Sequence, residues 1–231
     1  MKRNNLWLIP CAFFLICCVL DLVGCLTCGQ LERTVKPALM PLLCVTSFVW
    51  LLENGKGSID RRAAALLLCG QLFGFAGDTM LLGHGFPFFA GGIGLFLIGH
   101  IFYISLFGGK SLKGLKPWQW VAGIAVGLSL TAAFALAIGV NGPLLAPMGV
   151  YAFVLTMLIF SMLMGVIRFG GLTWWLLLVG ALLFAFSDSL IAMSSFTSLH
   201  FKMYGFVVMI TYLVAQCLLA VGGLRLVTQK P

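Results

Sequence analysis

The chain has 231 residues, of which 61% are hydrophobic and only 9% are charged, and its formal net charge is +8. Soluble domains carry about 25% charged residues, so this composition excludes a water-soluble fold and indicates an integral membrane protein. The basic residues stand in short clusters between apolar runs, which is typical of loops that orient membrane helices and provides no surface for nucleic acid.

Eight apolar runs follow one another along the chain. A helix needs about 20 residues, with a range of about 17 to 25, to cross the hydrocarbon core. The runs are continuous rather than alternating, which favours helices over the strands of a membrane barrel. The expected spans are 6–27, 36–52, 62–82, 87–108, 117–138, 143–167, 174–195 and 204–227. We therefore predict an all-α integral membrane protein, a bundle of about eight transmembrane helices in one polytopic domain over residues 1–231.

Turn-forming or polar segments separate the runs, for example Gly83–Pro87 and Asn141–Pro143. The second run is the shortest. Lys36 opens it, and Pro37 and Pro41 then fall in its first turns, where proline is tolerated. Glycines in the third and fourth runs are expected to let those two helices approach closely.

The N-terminal run is similar to a signal peptide because Lys2 and Arg3 precede it. Asp21 interrupts the apolar residues, and seven more membrane segments follow, so we expect a retained first helix.

The eight cysteines do not suit the disulfide framework of a small secreted protein. Cys25 and Cys28 have redox or metal spacing, but no second pair completes a four-ligand site. We expect the cysteines to be small apolar packing residues.

The distribution of Lys and Arg predicts the orientation. With a cytoplasmic N-terminus, the cytoplasmic side holds 11 of the 14 basic residues: Lys2, Arg3, Lys56, Arg61, Arg62, Lys110, Lys113, Lys116, Arg168, Arg225 and Lys230. The other side holds three: Arg33, Lys36 and Lys202. This asymmetry favours both termini in the cytoplasm of a multi-pass cell-membrane protein, in the inner membrane if the source is a Gram-negative bacterium.

Three carboxylates lie inside the apolar runs, namely Asp21, Asp78 and Asp188. A charge at the bilayer centre costs roughly 2.5–3.5 kcal/mol, so a functional role is the default interpretation and a structural hydrogen bond is the alternative. Each lies roughly 20–24 Å along its helix, in the outer half of the bilayer. Lys36 enters from the same side, so these four ionisable groups are expected to converge on one polar pocket.

Further polar side chains could line the same pocket. His100 and Tyr103 are three residues apart on the fourth helix and share a face, as do Tyr212 and Gln216, four apart on the last. His100 lies deeper than the aspartates, which suits a pocket shaped as a shaft. Tyr151 on the sixth helix is a weaker candidate.

Other kinds of site find less support. The histidines lack zinc-ligand spacing, so no metal or other cofactor is expected, although a metal bound through the aspartates stays an alternative. Ser187 adjoins Asp188, but adjacent helical residues point in different directions and no Gly-x-Ser-x-Gly turn exists. Gly92-x-Gly94 lies within a membrane helix, where a nucleotide-binding turn cannot form.

Several short motifs stand in order between about residue 36 and about residue 223: Lys36–Pro37, Gly77–Leu82, Gly94–Tyr103, Gly180–Leu190, and Tyr212 with Gln216. In this order and spacing they resemble the YhhN-like membrane proteins, which include the lysoplasmalogenases. Asp21 matches none of these motifs.

The resemblance implies hydrolysis of the vinyl ether bond of lysoplasmalogen, a lysophospholipid of the bilayer, to a fatty aldehyde and glycerophosphoethanolamine or glycerophosphocholine. Two carboxyl groups in one low-dielectric pocket can differ in protonation state, as this chemistry requires. We expect Asp78 and Asp188 to be the catalytic pair, without deciding which is the acid. His100 and Tyr103 would orient water or the acid, and Lys36 would meet the phosphate. Ser187, Tyr212, Gln216 and Asp21 complete the expected substrate-binding residues.

The sequence is also compatible with two alternatives to a hydrolase. A small proton- or cation-coupled transporter could use the same buried aspartates, although no convincing internal repeat of the kind common in transporters is visible. A non-catalytic membrane scaffold would leave the costly aspartates unexplained.

Overall fold

The computed structural model describes residues 5–27, 29–54, 59–140, 142–197 and 201–228. Over these residues eight helices, each long and apolar enough to cross a membrane, make up the fold. They are α1 Leu8–Leu26, α2 Gly29–Asn54, α3 Arg61–Leu81, α4 Phe86–Ser111, α5 Pro117–Ile138, α6 Leu145–Phe169, α7 Gly171–Phe196 and α8 Tyr204–Thr228. The predicted all-α membrane bundle is confirmed, and Cys28 and His200 lie outside the described residues.

Sequential helices form antiparallel pairs, with α1 against α2, α3 against α4 and α7 against α8. Between these pairs, α4 packs on α6, α6 packs on α7, and α8 contacts α1, α2 and α3. The most enclosed helix is α8, whereas α5 is the least enclosed and packs mainly on α6. The core therefore forms around α8, and α5 lies at the edge of the bundle.

Small residues allow the closest helix crossing, as predicted. A Cβ atom added to Gly99 of α4 would lie 3.2 Å from the backbone oxygen of Gly70 on α3. A Cβ added to Gly77 would lie 2.9 Å from the ring of Phe96. Without a hydrophobic driving force between helices in lipid, such close backbone packing holds the pair together.

The start of the second helix differs from the prediction. α2 begins at Gly29, seven residues before the expected start, so Lys36 does not open it and Pro37 and Pro41 lie inside it rather than in its first turns. The helix continues through the polar segment because its backbone bonds do not depend on hydropathy, and Glu32 and Lys36 form an i, i+4 ion pair there. The other predicted spans agree with the observed helix ends to within three residues.

Carboxylate side chains accept hydrogen bonds from free backbone N–H groups at the start of two helices. The backbone N–H of Leu6 donates to Glu53 Oε1 at 2.9 Å and that of Trp7 donates to Glu53 Oε2 at 3.4 Å, so the end of α2 satisfies the start of α1. Asp60 accepts from the backbone N–H groups of Arg62 and Ala63 at the start of α3. These carboxylates supply partners that the first turn of a helix lacks.

Basic side chains perform the opposite task at the same end of the bundle. Lys110 Nζ donates to the backbone oxygen of Leu226 at 3.1 Å. Arg168 donates to the backbone oxygens of Ser111 and Lys113 at 2.6 and 2.7 Å. Cations are favourable at helix C-termini, so these residues stabilise the ends of α4 and α8.

Candidate active site at two aspartate–tyrosine pairs

Asp78 lies three residues before the end of α3 and is buried, with 8% of its surface exposed. The hydroxyl of Tyr212 on α8 donates to Asp78 Oδ2 at 2.5 Å. Gln216 Nε2, one turn further along α8, donates to the Tyr212 hydroxyl at 3.2 Å. The i, i+4 spacing on α8 thus produces a hydrogen-bonded chain that ends on a buried carboxylate.

Asp188 of α7 has the same kind of partner on a different helix. The hydroxyl of Tyr151 on α6 donates to Asp188 Oδ2. Sequence reasoning rated Tyr151 as a weak candidate, although one signal was available. A tyrosine inside an apolar run needs a partner for its hydroxyl, and few partners exist within a membrane bundle.

Aromatic rings connect the two aspartate–tyrosine pairs. The ring of His100 on α4 lies 5.5 Å from that of Tyr151 and 4.8 Å from that of Phe184. The Phe184 ring in turn lies 5.6 Å from that of Tyr212. His100 is 2% exposed and therefore stands between the pairs as part of the core.

The charged groups also converge. Asp78 is close enough to interact electrostatically with Asp188, and both Asp21 and Asp78 interact with Lys36. The direct ion pair of Lys36, however, is with Glu32, at 3.5 Å between Nζ and Oε1. Asp21 is fully buried, and among the described residues neither of its carboxylate oxygens has a hydrogen-bond partner. Electrostatic interactions thus link Asp21, Lys36, Asp78 and Asp188, although no hydrogen bond joins them in the described part of the chain.

Two other predicted residues have contacts that belong to helix packing. The Tyr103 ring is stacked on Phe107 at 5.8 Å between centroids and covers Gly70. Ser187 is fully buried, and its hydroxyl donates to the backbone oxygen of Val208 at 3.1 Å, which joins α7 to α8.

A cavity of about 450 Å³ lies next to Asp188, between α4, α5, α6 and α7. It is lined by Leu81, Phe89, Ile93, Phe96, Leu130, Thr131, Ala133, Phe134, Ala137, Met148, Tyr151, Ala152, Leu155, Thr156, Ile159, Ala185, Asp188, Ser189, Ile191 and Ala192. Asp188 is the carboxylate in this lining and is partly accessible, whereas Asp78 is buried and is not among the lining residues. The two pairs therefore share a chemistry but differ in access.

The site offers no obvious metal cage. Within the described ranges, no group of three or more His, Cys, Asp or Glu side chains stands close enough together to hold a metal ion. His84 lies in the turn between α3 and α4, far along the chain from His100. The described side chains bring carboxyl, phenol and imidazole groups to the site.

Comparison with known proteins places the chain in a family. The model of the YhhN family matches residues 31–223. Lysoplasmalogenase TMEM86B of Mus musculus is 32% identical over 186 residues, which cover 80% of this chain and 73% of the mouse protein. Lysoplasmalogenase TMEM86A of Homo sapiens is 29% identical over 196 residues, which cover 80% of this chain and 76% of the human protein. No solved structure matches. Since the family match extends from α2 into α8, this multi-pass membrane protein belongs to the YhhN family.

Proposed function

We propose that this protein is a lysoplasmalogenase, which hydrolyses the vinyl ether bond of a lysoplasmalogen to a fatty aldehyde and glycerophosphoethanolamine or glycerophosphocholine. Relatives of about 30% identity carry this name. The observation that carries the proposal is the carboxyl group of Asp188, bonded by Tyr151, in the wall of a largely apolar cavity. A single-chain lipid with one acid-sensitive bond has the chemistry that such a cavity suits.

The reaction needs a proton at carbon. Transfer of a proton to the β-carbon of the vinyl ether turns the double bond into a carbon–oxygen cation, the oxocarbenium ion. Water then adds to the α-carbon and loses a proton, giving a hemiacetal. As the carbon–oxygen bond of the hemiacetal breaks, the glycerol oxygen takes up that proton from the acid, and the hemiacetal hydroxyl returns its own proton to the resulting carboxylate, which leaves the aldehyde. The protein must therefore supply an acid, a base and a negative potential around the cation.

We assign the proton transfers to Asp188, because it is the carboxyl group that borders the cavity. Tyr151 occupies its Oδ2 atom, which leaves Oδ1 to carry the proton to the substrate. After the transfer, the Tyr151 hydroxyl stabilises the new carboxylate. The same carboxylate then accepts the proton of the attacking water, as acid and base roles alternate in glycosidases that form related cations.

In our proposal, Asp78 lies outside the cavity lining and supplies negative potential that stabilises the cation. It interacts with Asp188 electrostatically, and Tyr212 and Gln216 fix its position. Lys36, in the same charged group, is the residue we assign to the phosphate of the head group. His100 keeps the Tyr151 ring in place and separates the two pairs.

The orientation completes the proposal. Both termini are assigned to the cytoplasm, because the end of the bundle that holds Lys110, Arg168 and Arg225 is the more basic one. The two aspartates then face the outer half of the cell membrane. A cysteine-accessibility or reporter-fusion map of the loops would test this assignment, and a periplasmic or extracellular N-terminus would contradict it.

The decisive experiment is hydrolysis by purified protein in heavy water. Lysoplasmenylethanolamine should release aldehyde that carries one deuterium on the carbon next to the carbonyl, measured after immediate reduction to the alcohol. The matched lipid with a saturated ether should stay intact, because it cannot accept a proton at carbon. The Asp78→Asn, Asp188→Asn double variant should release no aldehyde.

A second outcome would favour the transporter alternative. If no vinyl-ether lipid is cleaved, while the protein in vesicles moves a solute in exchange for protons and the double variant does not, the aspartates serve transport. Cleavage without deuterium at that carbon would contradict the proton-transfer step while leaving the activity.

A further inference from the structure

We infer that the hydrocarbon chain of the substrate enters the cavity sideways from the bilayer, between α4 and α5, and that Ala133 and Ala137 of α5 set the longest chain it accepts. This inference rests on the proposed function for the identity of the lipid. It concerns a part of the cavity that takes no part in the chemistry.

The first step is the position of α5. Its first half packs tightly on α6, where a Cβ atom on Gly123 or Gly127 would collide with Phe160 or Met157. In the part of the chain that the structure describes, α5 packs on α6 and to a lesser extent on α7, but it is not packed closely against α4. One side of α5 therefore borders open space within the bundle.

That side of α5 forms one wall of the cavity. Leu130, Ala133, Phe134 and Ala137 line it at positions i, i+3, i+4 and i+7, which is one stripe of a helix. Phe89, Ile93 and Phe96 of α4 also line the cavity, at positions i, i+4 and i+7. Because α4 and α5 both line the cavity without packing closely on each other, we assign the space between them as the route from the hydrocarbon of the bilayer.

The end of the cavity near the α5 terminus is closed by apolar side chains. Phe89 and Phe196 meet edge to face with their centroids 6.3 Å apart. Ile138, Val140 and Met148 pack into a small core beside them. Apolar side chains therefore pack across this end of the cavity.

The lining indicates an apolar occupant. The volume of about 450 Å³ is within the range of about 300–1,000 Å³ that small-molecule sites have. Two of the lining hydroxyls are already satisfied, since Thr156 donates to the backbone oxygen of Phe153 and Ser189 donates to that of Ala185, each at 2.7 Å. The Thr131 hydroxyl of α5 has no hydrogen-bond partner among the described residues, so it and the Asp188 carboxyl group are the polar groups left in a largely apolar lining. Such a lining suits a single hydrocarbon chain attached to a short polar group.

Ala133 and Ala137 determine the usable length because their side chains end at Cβ. A phenylalanine at either position would fill space that the chain now occupies. Ala132 provides a matched control, since it is exposed on the same helix and is not among the lining residues.

Binding of saturated-ether lysophospholipids, which cannot be cleaved, tests the inference. Purified wild type, Ala133→Phe, Ala137→Phe and Ala132→Phe would be compared by competition binding with a series from decyl to octadecyl chains. We expect affinity to rise with chain length in the wild type and in Ala132→Phe. In the two lining variants the affinity should stop rising at a shorter chain length. Each methylene group that no longer fits should cost about fourfold in affinity.

The outcomes separate the inference from the proposed function. An unchanged chain-length profile in both lining variants, each shown to be folded by its melting temperature, would overturn the inference even if vinyl ethers are cleaved. A shifted profile in a protein that cleaves no vinyl ether would support the chain site and reject the lysoplasmalogenase. If one lining variant fails to fold, the other decides.

Discussion

The two aspartate–tyrosine pairs differ in whether the carboxylate borders a cavity. Asp188 with Tyr151 borders a cavity, whereas Asp78 with Tyr212 is enclosed between α3 and α8 and is braced by Gln216. The same two side chains can therefore act on a ligand in one place and only through their field in the other. The comparison teaches that two similar carboxylate–tyrosine pairs can differ in access to a cavity, and our proposal assigns their roles from that difference.

The largest effect is expected for Asp188→Asn, a nearly isosteric change that removes the acid from the cavity. The turnover number should fall about a thousandfold, since a positioned acid or base contributes roughly 10²–10⁴-fold. Aldehyde release from lysoplasmenylethanolamine would measure it. Binding of the saturated-ether lipid should persist, and full turnover in this variant would remove Asp188 from the reaction.

Asp78→Asn should cost less, roughly ten- to a hundredfold, because it removes a nearby negative charge and leaves the acid in place. The fall should appear in the turnover number rather than in the Michaelis constant. A loss larger than that of Asp188→Asn would reverse the roles that the difference in access assigns to the two carboxylates.

The tyrosines sharpen the comparison further. Tyr151→Phe removes a hydrogen bond to the acid itself, and bonds to charged groups are worth about 1.5–3 kcal/mol, so turnover should fall at least about tenfold. Tyr212→Phe should cost only a few-fold in turnover, and its main effect should be a lower melting temperature because Gln216 also loses its partner. Equal losses of turnover in the two variants would show that cavity access does not decide the roles.

Lys36→Met should have the smallest effect. We expect a few-fold rise in the Michaelis constant, because a partly exposed cation contributes modestly to phosphate binding. Lys202→Met is the matched control, since Lys202 is exposed at the same end of the bundle and should leave the constant unchanged. Equal behaviour of the two variants would remove Lys36 from the head-group site.

Much of the fold follows from the sequence because the bilayer allows few solutions. Runs of apolar residues predict helices, and the cost of an unpaired charge in lipid predicts that Asp78 and Asp188 matter. The similar depth of the three aspartates in their helices also led us to predict that they converge. The roles of the side chains remain predictions.

Sequence reasoning failed where a local pattern does not determine the partner. The bond from Tyr151 to Asp188 joins two helices, and their relative rotation depends on the packing of the whole bundle. The early start of α2 was missed because hydropathy marks the edge of the membrane, while the helix continues beyond it through Glu32. In that early part of α2 the direct ion pair of Lys36 is with Glu32, whereas its interaction with Asp21 and Asp78 is electrostatic only.

The contact of Glu53 with the start of α1 bears on how the protein is made. The backbone N–H groups of Leu6 and Trp7 gain their carboxylate partner only after α2 has crossed the membrane and brought Glu53 back to the same side. The end of the first span is therefore fixed only in the finished pair of α1 and α2. A chain halted during synthesis before Glu53 would hold its first helix in the membrane without the anchor that fixes its end.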